Sequence, residues 1–229
     1  MAVSSYTGIR HGATISAPAD PTRSGYVFNL WYADSNLTQR FEFATQTITA
    51  NTTLYAKWWS GVVGDIGPAG GVVFHDKGTY SDGWRYLEAA STDVIHPTTG
   101  VTTFTWGGST GTTINNTLVG GTSQAVGTGE ANTTTIATLH PLAGSAARFC
   151  SEGFKQGGYS DWFLPSYEEL DLMGKLSDTK SGAFTLLSNT YWSSSEKTAG
   201  NAYFINVTDK IKSDIPKTYT FKLRAARAF

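Results

Sequence analysis

One cysteine and four histidines are the residues of this 229-residue chain with the most capacity for covalent or metal chemistry. Cys150 lies in Ala146-Ala147-Arg148-Phe149-Cys150, which reads as a helix with a buried apolar face. A reactive thiolate needs an accessible, electropositive setting, and a lone buried cysteine behaves as a small hydrophobe. One cysteine also excludes an intramolecular disulfide and a two-thiolate metal site. His11, His75, His96 and His140 are scattered without the spacing of a zinc ligand set. No Ser/His/Asp series is evident. Asp161, Glu168 and Asp171 are close in sequence, but calcium needs clustered oxygen ligands. Carboxylates around a loop and helix start are explained by the helix dipole. Gly64–Phe74 is glycine-rich, yet its spacing fits no dinucleotide or phosphate loop and no helix signal follows. The expectation is a chain with no catalytic residues, no metal and no cofactor.

A second group of residues points to recognition. Between Glu196 and Tyr219 lie Lys197, Asn201, Tyr203, Asn206, Asp209, Lys210, Lys212 and Asp214, set in turns and strand edges between two apolar strand motifs. Amphipathic tyrosine among amides and charges makes adaptable contacts at low entropic cost. Trp106, in the Gly/Thr-rich stretch 97–130, is expected to help. A ligand-binding face and an ordinary solvated face are both compatible with this composition. The ligands expected for it are a protein or a glycan on another cell or host.

The bulk composition limits the partners. The chain is 40% hydrophobic and 13% aromatic, enough to bury a core, since each ring covers roughly 150–250 Å². Net charge is −1 with no basic block, which argues against nucleic acid. No stretch approaches the roughly 18 apolar residues of a membrane span. Met1–Gly8 has neither a charged nor an apolar signal region, so any export signal is expected upstream of this chain.

The elements that position these residues fall into two segments, 1–59 and 60–229, with a seam near Trp59–Val63. In the first, Gly25–Tyr32 and Leu54–Trp58 read as half-buried strands, and Tyr26, Phe28, Trp31, Tyr55 and Trp58 are expected to nucleate a small core. In the second, strands are expected at Val72–Phe74, Trp84–Ala89, Thr190–Ser194, Ala202–Val207 and Tyr219–Arg224. Two helices lie between them. The first is broken at Pro141, with Ala143–Glu152 the surer half. The second is announced by a capping box, Ser166 with Glu169 three residues on, and by Leu170, Met173 and Leu176 on one face.

Pro18–Tyr26, Trp31–Asp34, Phe41–Phe43 and Ile48–Trp58 together resemble the internalin-type B repeat, also called the Listeria–Bacteroides repeat. The resemblance implies a small β-grasp-like module found in strings on bacterial surface proteins. Two departures are Leu30 in place of the usual glycine and a first strand shortened to about Ala2–Ile9. With no cluster of acidic residues or histidines, the module reads as a spacer.

Gly64–Phe74, Gly83–Ala90, Gly157–Ser166, Glu168–Leu170, Tyr191–Glu196 and Leu223–Phe229 resemble a bacterial C-type-lectin-like domain of the formylglycine-generating-enzyme variant. The resemblance implies an α+β fold, two helices flanking twisted antiparallel sheets, with the ligand surface in the last third; some relatives are diversified there by retroelements. The name-giving enzyme uses a pair of cysteines and copper, which this chain lacks, and the signatures of calcium-dependent lectins are missing. The reading is a non-enzymatic adhesion or binding protein of the cell envelope, surface-exposed or secreted. A calcium-independent carbohydrate-binding module is the alternative, and an enzyme the third.

Overall fold

Two units make up the computed structural model, Met1–Val62 and Val63–Phe229, within which residues 5–110, 113–114, 117–140, 144–179 and 189–229 are described. In the first unit, β1 (Val27–Tyr32) pairs antiparallel with β2 (Tyr55–Trp59), with a bulge between Phe28 and Trp31. Beyond the bulge Trp31 and Tyr32 pair with Ala56 and Tyr55 and point to opposite faces, and both are buried, as are Phe41 and Trp59. This differs from the expected core. Tyr26 and Tyr55 are exposed at 45% and 38%, and Phe28 and Trp58 are half-buried, edge to face at 5.8 Å. Of the five expected rings only Trp31 is buried; Tyr26 lies before β1 and Tyr55 and Trp58 on β2, where Trp59 rather than Trp58 turns inward. Residues 5–9 form no strand, and Ala2–Ser4 of the expected first strand lie outside the described residues.

The second unit is mixed α+β, with antiparallel sheets and few helices. Strands β3 (Val72–Ser81) and β4 (Trp84–Ala89) form a hairpin, and the C-terminal β12 (Ala226–Ala228) lies on the other side of β4. The Phe229 carbonyl accepts the Arg85 and Tyr86 N–H groups at 2.8 and 2.9 Å, so the chain end closes onto the unit's beginning. The glycine-rich entry is a turn clamped by the buried Glu88, whose carboxylate accepts the Ala69 and Gly71 N–H groups. A Cβ at Gly71 would stand 2.0 Å from the Ala89 carbonyl, so glycine is required there by close strand approach.

Short pieces follow: β5 (Phe104–Thr105), then β6 (Ser109–Thr110) paired with β7 (Thr113–Ile114). Next come α1 (Gly129–Leu139), the single turn α2 (Ala146–Arg148) running into a π-helical turn at Phe149–Gly153, and α3 (Tyr167–Thr179). The longer regular helix is thus the half before Pro141. Residues 141–143, including the expected break, lie outside the described residues.

Helix α3 starts where expected. The Ser166 N–H donates to Glu169 at 2.8 Å, and the Glu169 N–H donates to the Ser166 hydroxyl at 3.3 Å. Glu169 also accepts the Gly127 N–H at 2.7 Å, tying α3 to the entry of α1.

Strands β8 (Thr190–Glu196), β9 (Asn201–Asn206) and β10 (Ile211–Pro216) form a sheet in the order β10-β9-β8, and β11 (Thr220–Phe221) pairs with β5. Strand β10 has no counterpart among the expected elements, because its sequence, Ile-Lys-Ser-Asp-Ile-Pro, is largely polar.

Two apolar clusters flank this sheet. One holds Trp106, Trp162, Trp192, Ile136, Cys150 and Leu164; the other holds Leu170, Met173, Tyr191, Ile205 and Phe74. The three buried indoles each donate to a carbonyl: Trp106 to Ser193, Trp162 to Tyr159 and Trp192 to Phe104. Burying tryptophan without that bond would cost roughly 1–3 kcal/mol each.

Candidate functional site

The polar residues between Glu196 and Tyr219 sit on the β9–β10 hairpin. Its register opposes Tyr203 to Asp214, Ile205 to Lys212 and Asn206 to Ile211. Side chains alternate across a strand, so Asn201, Tyr203 and Ile205 share one face with Asp214 and Lys212, while Ala202, Phe204 and Asn206 share the other. The first face turns to α3 through Ile205, which packs in the cluster of Leu170 and Met173. The second turns inward through Ala202 and Phe204, against Phe221 and Trp192. The expected single face is therefore divided.

Six of the nine expected residues converge beside α3. Tyr203 stacks on Tyr167 with ring centroids 4.9 Å apart, and the Lys197 ammonium stands 5.3 Å from the Tyr203 ring centroid. The Asn201 amide donates to Asp214 at 2.8 Å. Lys212 pairs with Asp171, which also receives Lys175 at 2.9 Å, and Lys210 pairs with Asp178. Asn206 and Asp209 instead close the hairpin: the Asn206 amide donates to Asp209 at 2.8 Å, and the Asp209 N–H donates back at 3.0 Å. Lys210, at φ +57, supplies the left-handed residue of that turn.

Trp106 is a correction. It is fully buried, bonded to the Ser193 carbonyl, and offers no surface to a ligand. A tryptophan in a Gly/Thr-rich stretch reads as exposed only when its distant partner strand is unknown.

The α3 residues Tyr167, Asp171 and Lys175 were not expected at the site. Their signal is in the sequence nonetheless. Spaced by four, they line one stripe of a helix whose start the capping box already marks. Burial would raise the Asp171 carboxyl, but hydrogen bonds and charge from Lys212 and Lys175 hold it below the usual range. Tyr167 is pushed up, first by burial and then by Asp171. The Lys197 ammonium is raised by its hydrogen bond to Tyr203. The arrangement is a preorganised surface of two rings, four lysines and paired carboxylates carried by α3, the β9–β10 hairpin and the turn before it. Nothing in it positions a nucleophile beside a base.

Beneath lies a buried ion pair that composition alone does not signal. Lys217 and Glu196 side chains are 0% and 4% exposed, 2.5 Å apart. Glu196 also accepts the Val119 and Gly120 N–H groups at 2.8 and 2.7 Å, and Lys217 stands 4.5 Å over the Trp106 ring. His140 is buried edge-on to Trp106, and burial, reinforced by Lys217, lowers its pKa. Cys150 is wholly buried, which pushes its thiol far above the ordinary range and keeps it protonated. Among the described residues no three His, Cys, Asp or Glu side chains gather as metal ligands, and no helix is long and apolar enough to cross a membrane.

Fold and surface together define a two-unit α+β protein whose second unit carries a braced polar hairpin. Its first unit is more specific: residues 2–57 match the Listeria-Bacteroides repeat domain. The resemblance carried by Pro18–Tyr26 and Leu54–Trp58 holds for that quarter of the chain. Over 48 residues the chain is 42% identical to a protein of Evansella cellulosilytica described as "Putative Gly-rich membrane protein". Over 44 residues it is 48% identical to another from the same organism, described as "Putative membrane protein". These matches cover 21% and 19% of this chain, and only 6% and 7% of those two proteins. The crystal structure of a fimbrial protein from Bacteroides ovatus aligns with 63% of this chain and 36% of its own, at 16% identity and a TM-score of 0.38.

Proposed function

We propose that this chain is a non-enzymatic binding protein of the bacterial cell envelope, surface-exposed or secreted. In this reading the first unit is a β-grasp-like surface repeat. The second is a C-type-lectin-like domain of the formylglycine-generating-enzyme variant, of the kind that retroelements diversify. The ligand is a protein or glycan on another cell or host. The observation that carries the reading is the β9–β10 hairpin braced on α3, where Lys197, Asn201, Tyr203 and Lys212 are held by neighbours rather than left to solvent. Side chains ordered before binding lose less entropy on contact, which is how a recognition surface differs from a merely solvated one. The matched repeat and the descriptions of the two Evansella proteins support the envelope location.

A second reading, a calcium-independent carbohydrate-binding module, is favoured by the paired Tyr203 and Tyr167 rings beside the Asn201 amide. Rings with adjacent amides offer a sugar both stacking and hydrogen bonds. A screen of the whole chain on glycan and protein arrays separates the two. Saturable binding to glycans without calcium selects the carbohydrate module, and binding to proteins selects the adhesin. No saturable binding in either array would overturn both.

A further inference from the structure

The first unit contains a cleft that the spacer reading leaves unused. Residues 5–11 and 48–54 separate beyond the Ala13–Ile48 bridge and enclose a cavity of about 780 Å³, within the roughly 300–1,000 Å³ of ligand pockets. Tyr6, Ile9, Pro18, Trp31, Ile48 and Leu54 line it. Among the described residues no backbone–backbone hydrogen bond joins residues 5–9 or 49–54 to another residue, and the Ala50 carbonyl accepts only the Thr52 hydroxyl at 2.9 Å. Beyond Leu54, β2 pairs on one side only, with β1. Trp31 is 8% exposed, and its indole N–H is buried without a partner. Unsatisfied buried donors are rare and call for an acceptor.

We propose that this cleft is a strand-acceptor site. Its occupant is an extended segment of a partner polypeptide with apolar residues at alternate positions. Two walls whose N–H and C=O groups, the Ala50 carbonyl apart, make no bond to another described residue, repeating along an extended chain, are matched by another extended backbone. A small ligand would satisfy one or two of them. Alternation follows from the pleat: side chains on one side of the inserted strand meet Trp31, Pro18 and Ile48, and those on the other meet solvent. A carbonyl of the strand accepts the Trp31 indole N–H. This gives the repeat a binding role distinct from the hairpin surface of the second unit, and it stands or falls independently of that surface.

The test uses the whole chain and a fluorescently labelled peptide of four Val-Thr repeats flanked by lysines. The control peptide has the same composition with its valines contiguous. We expect saturable binding of the alternating peptide and slowed hydrogen exchange of the amides in residues 49–54. Trp31→Phe keeps a ring but removes the donor. It should weaken the peptide about tenfold, as loss of one buried hydrogen bond does, measured where circular dichroism shows the variant folded. Thr53→Pro, which removes one wall N–H that makes no bond to another described residue, should weaken binding with the near-ultraviolet circular dichroism unchanged. Equal binding of the control peptide, or binding with no protection of residues 49–54, overturns the proposal. So does concentration-dependent protection of those amides without peptide, because the occupant would then be a second copy of the chain.

Discussion

Replacing Glu196 by alanine should be among the most damaging single changes outside the aromatic core. The Lys217 ammonium is fully buried and has two oxygen partners, Glu196 at 2.5 Å and the Thr117 carbonyl at 3.1 Å. Burial lowers the Lys217 pKa, and Glu196 opposes that shift by favouring the charged form. Glu196→Ala leaves the ammonium with one carbonyl and strips the Val119 and Gly120 N–H groups of their acceptor. Breaking a buried pair from one side costs about 3–5 kcal/mol. For a protein of this size that corresponds to a melting temperature lowered by about 6–20 °C. Lys217→Met is milder, because the carboxylate keeps its two backbone donors. Glu196→Gln combined with Lys217→Met should recover most of the loss, since no charge is then buried alone. Urea unfolding followed by tryptophan fluorescence gives the free energies of all three variants. A loss below about 1 kcal/mol for Glu196→Ala, in the range of exposed pairs, would show that water reaches the site and that the reasoning is wrong.

Trp162→Ala should cost about 3–5 kcal/mol, since the ring is buried against Phe154 and Leu164, and urea denaturation measures it. His140 is depressed by burial below its unfolded value of 6.5, so its contribution is complete above that pH and is lost as pH falls through the folded value. Stability should therefore decline as pH falls below about 6.5, and His140→Gln should flatten that decline in parallel urea titrations. Addition of a chelator should leave the melting temperature unchanged. A drop of several degrees would mean that a bound metal stabilises the fold by mass action.

The signals that were legible in the sequence are local ones. The capping box fixed the start of α3, the β-branched and aromatic runs located β4 and β8, and the proline and aromatic spacing marked the repeat. What stayed hidden depends on contacts far apart in the chain. Trp106 is buried because the Ser193 carbonyl, 87 positions away, receives its indole. Strand β10 has almost no apolar signal because it is an edge strand whose Lys212 and Asp214 face α3 and β9 rather than a core. Lys217 is buried only because Glu196 meets it. In the repeat, Trp31 was legible as core, but Phe41 and Trp59 were not, because neighbouring aromatics such as Trp58 and Trp59 carry the same composition on either face.

The central claim is that the hairpin face beside α3 contacts the ligand while the tryptophans beneath it only hold the fold. It is tested most directly by measuring affinity and stability together for Tyr203→Ala and Trp106→Ala, using whatever ligand the arrays return. The Tyr203 side chain is half-buried and its bond to the buried Ser193 hydroxyl is through the backbone carbonyl, which alanine keeps, so its loss should weaken binding about thirtyfold, the equivalent of a 2 kcal/mol anchor, with little change in melting temperature. Trp106→Ala should instead lower the melting temperature sharply. Unchanged affinity in folded Tyr203→Ala protein, or its unfolding under conditions where the parent is stable, would contradict the account and place the binding face elsewhere.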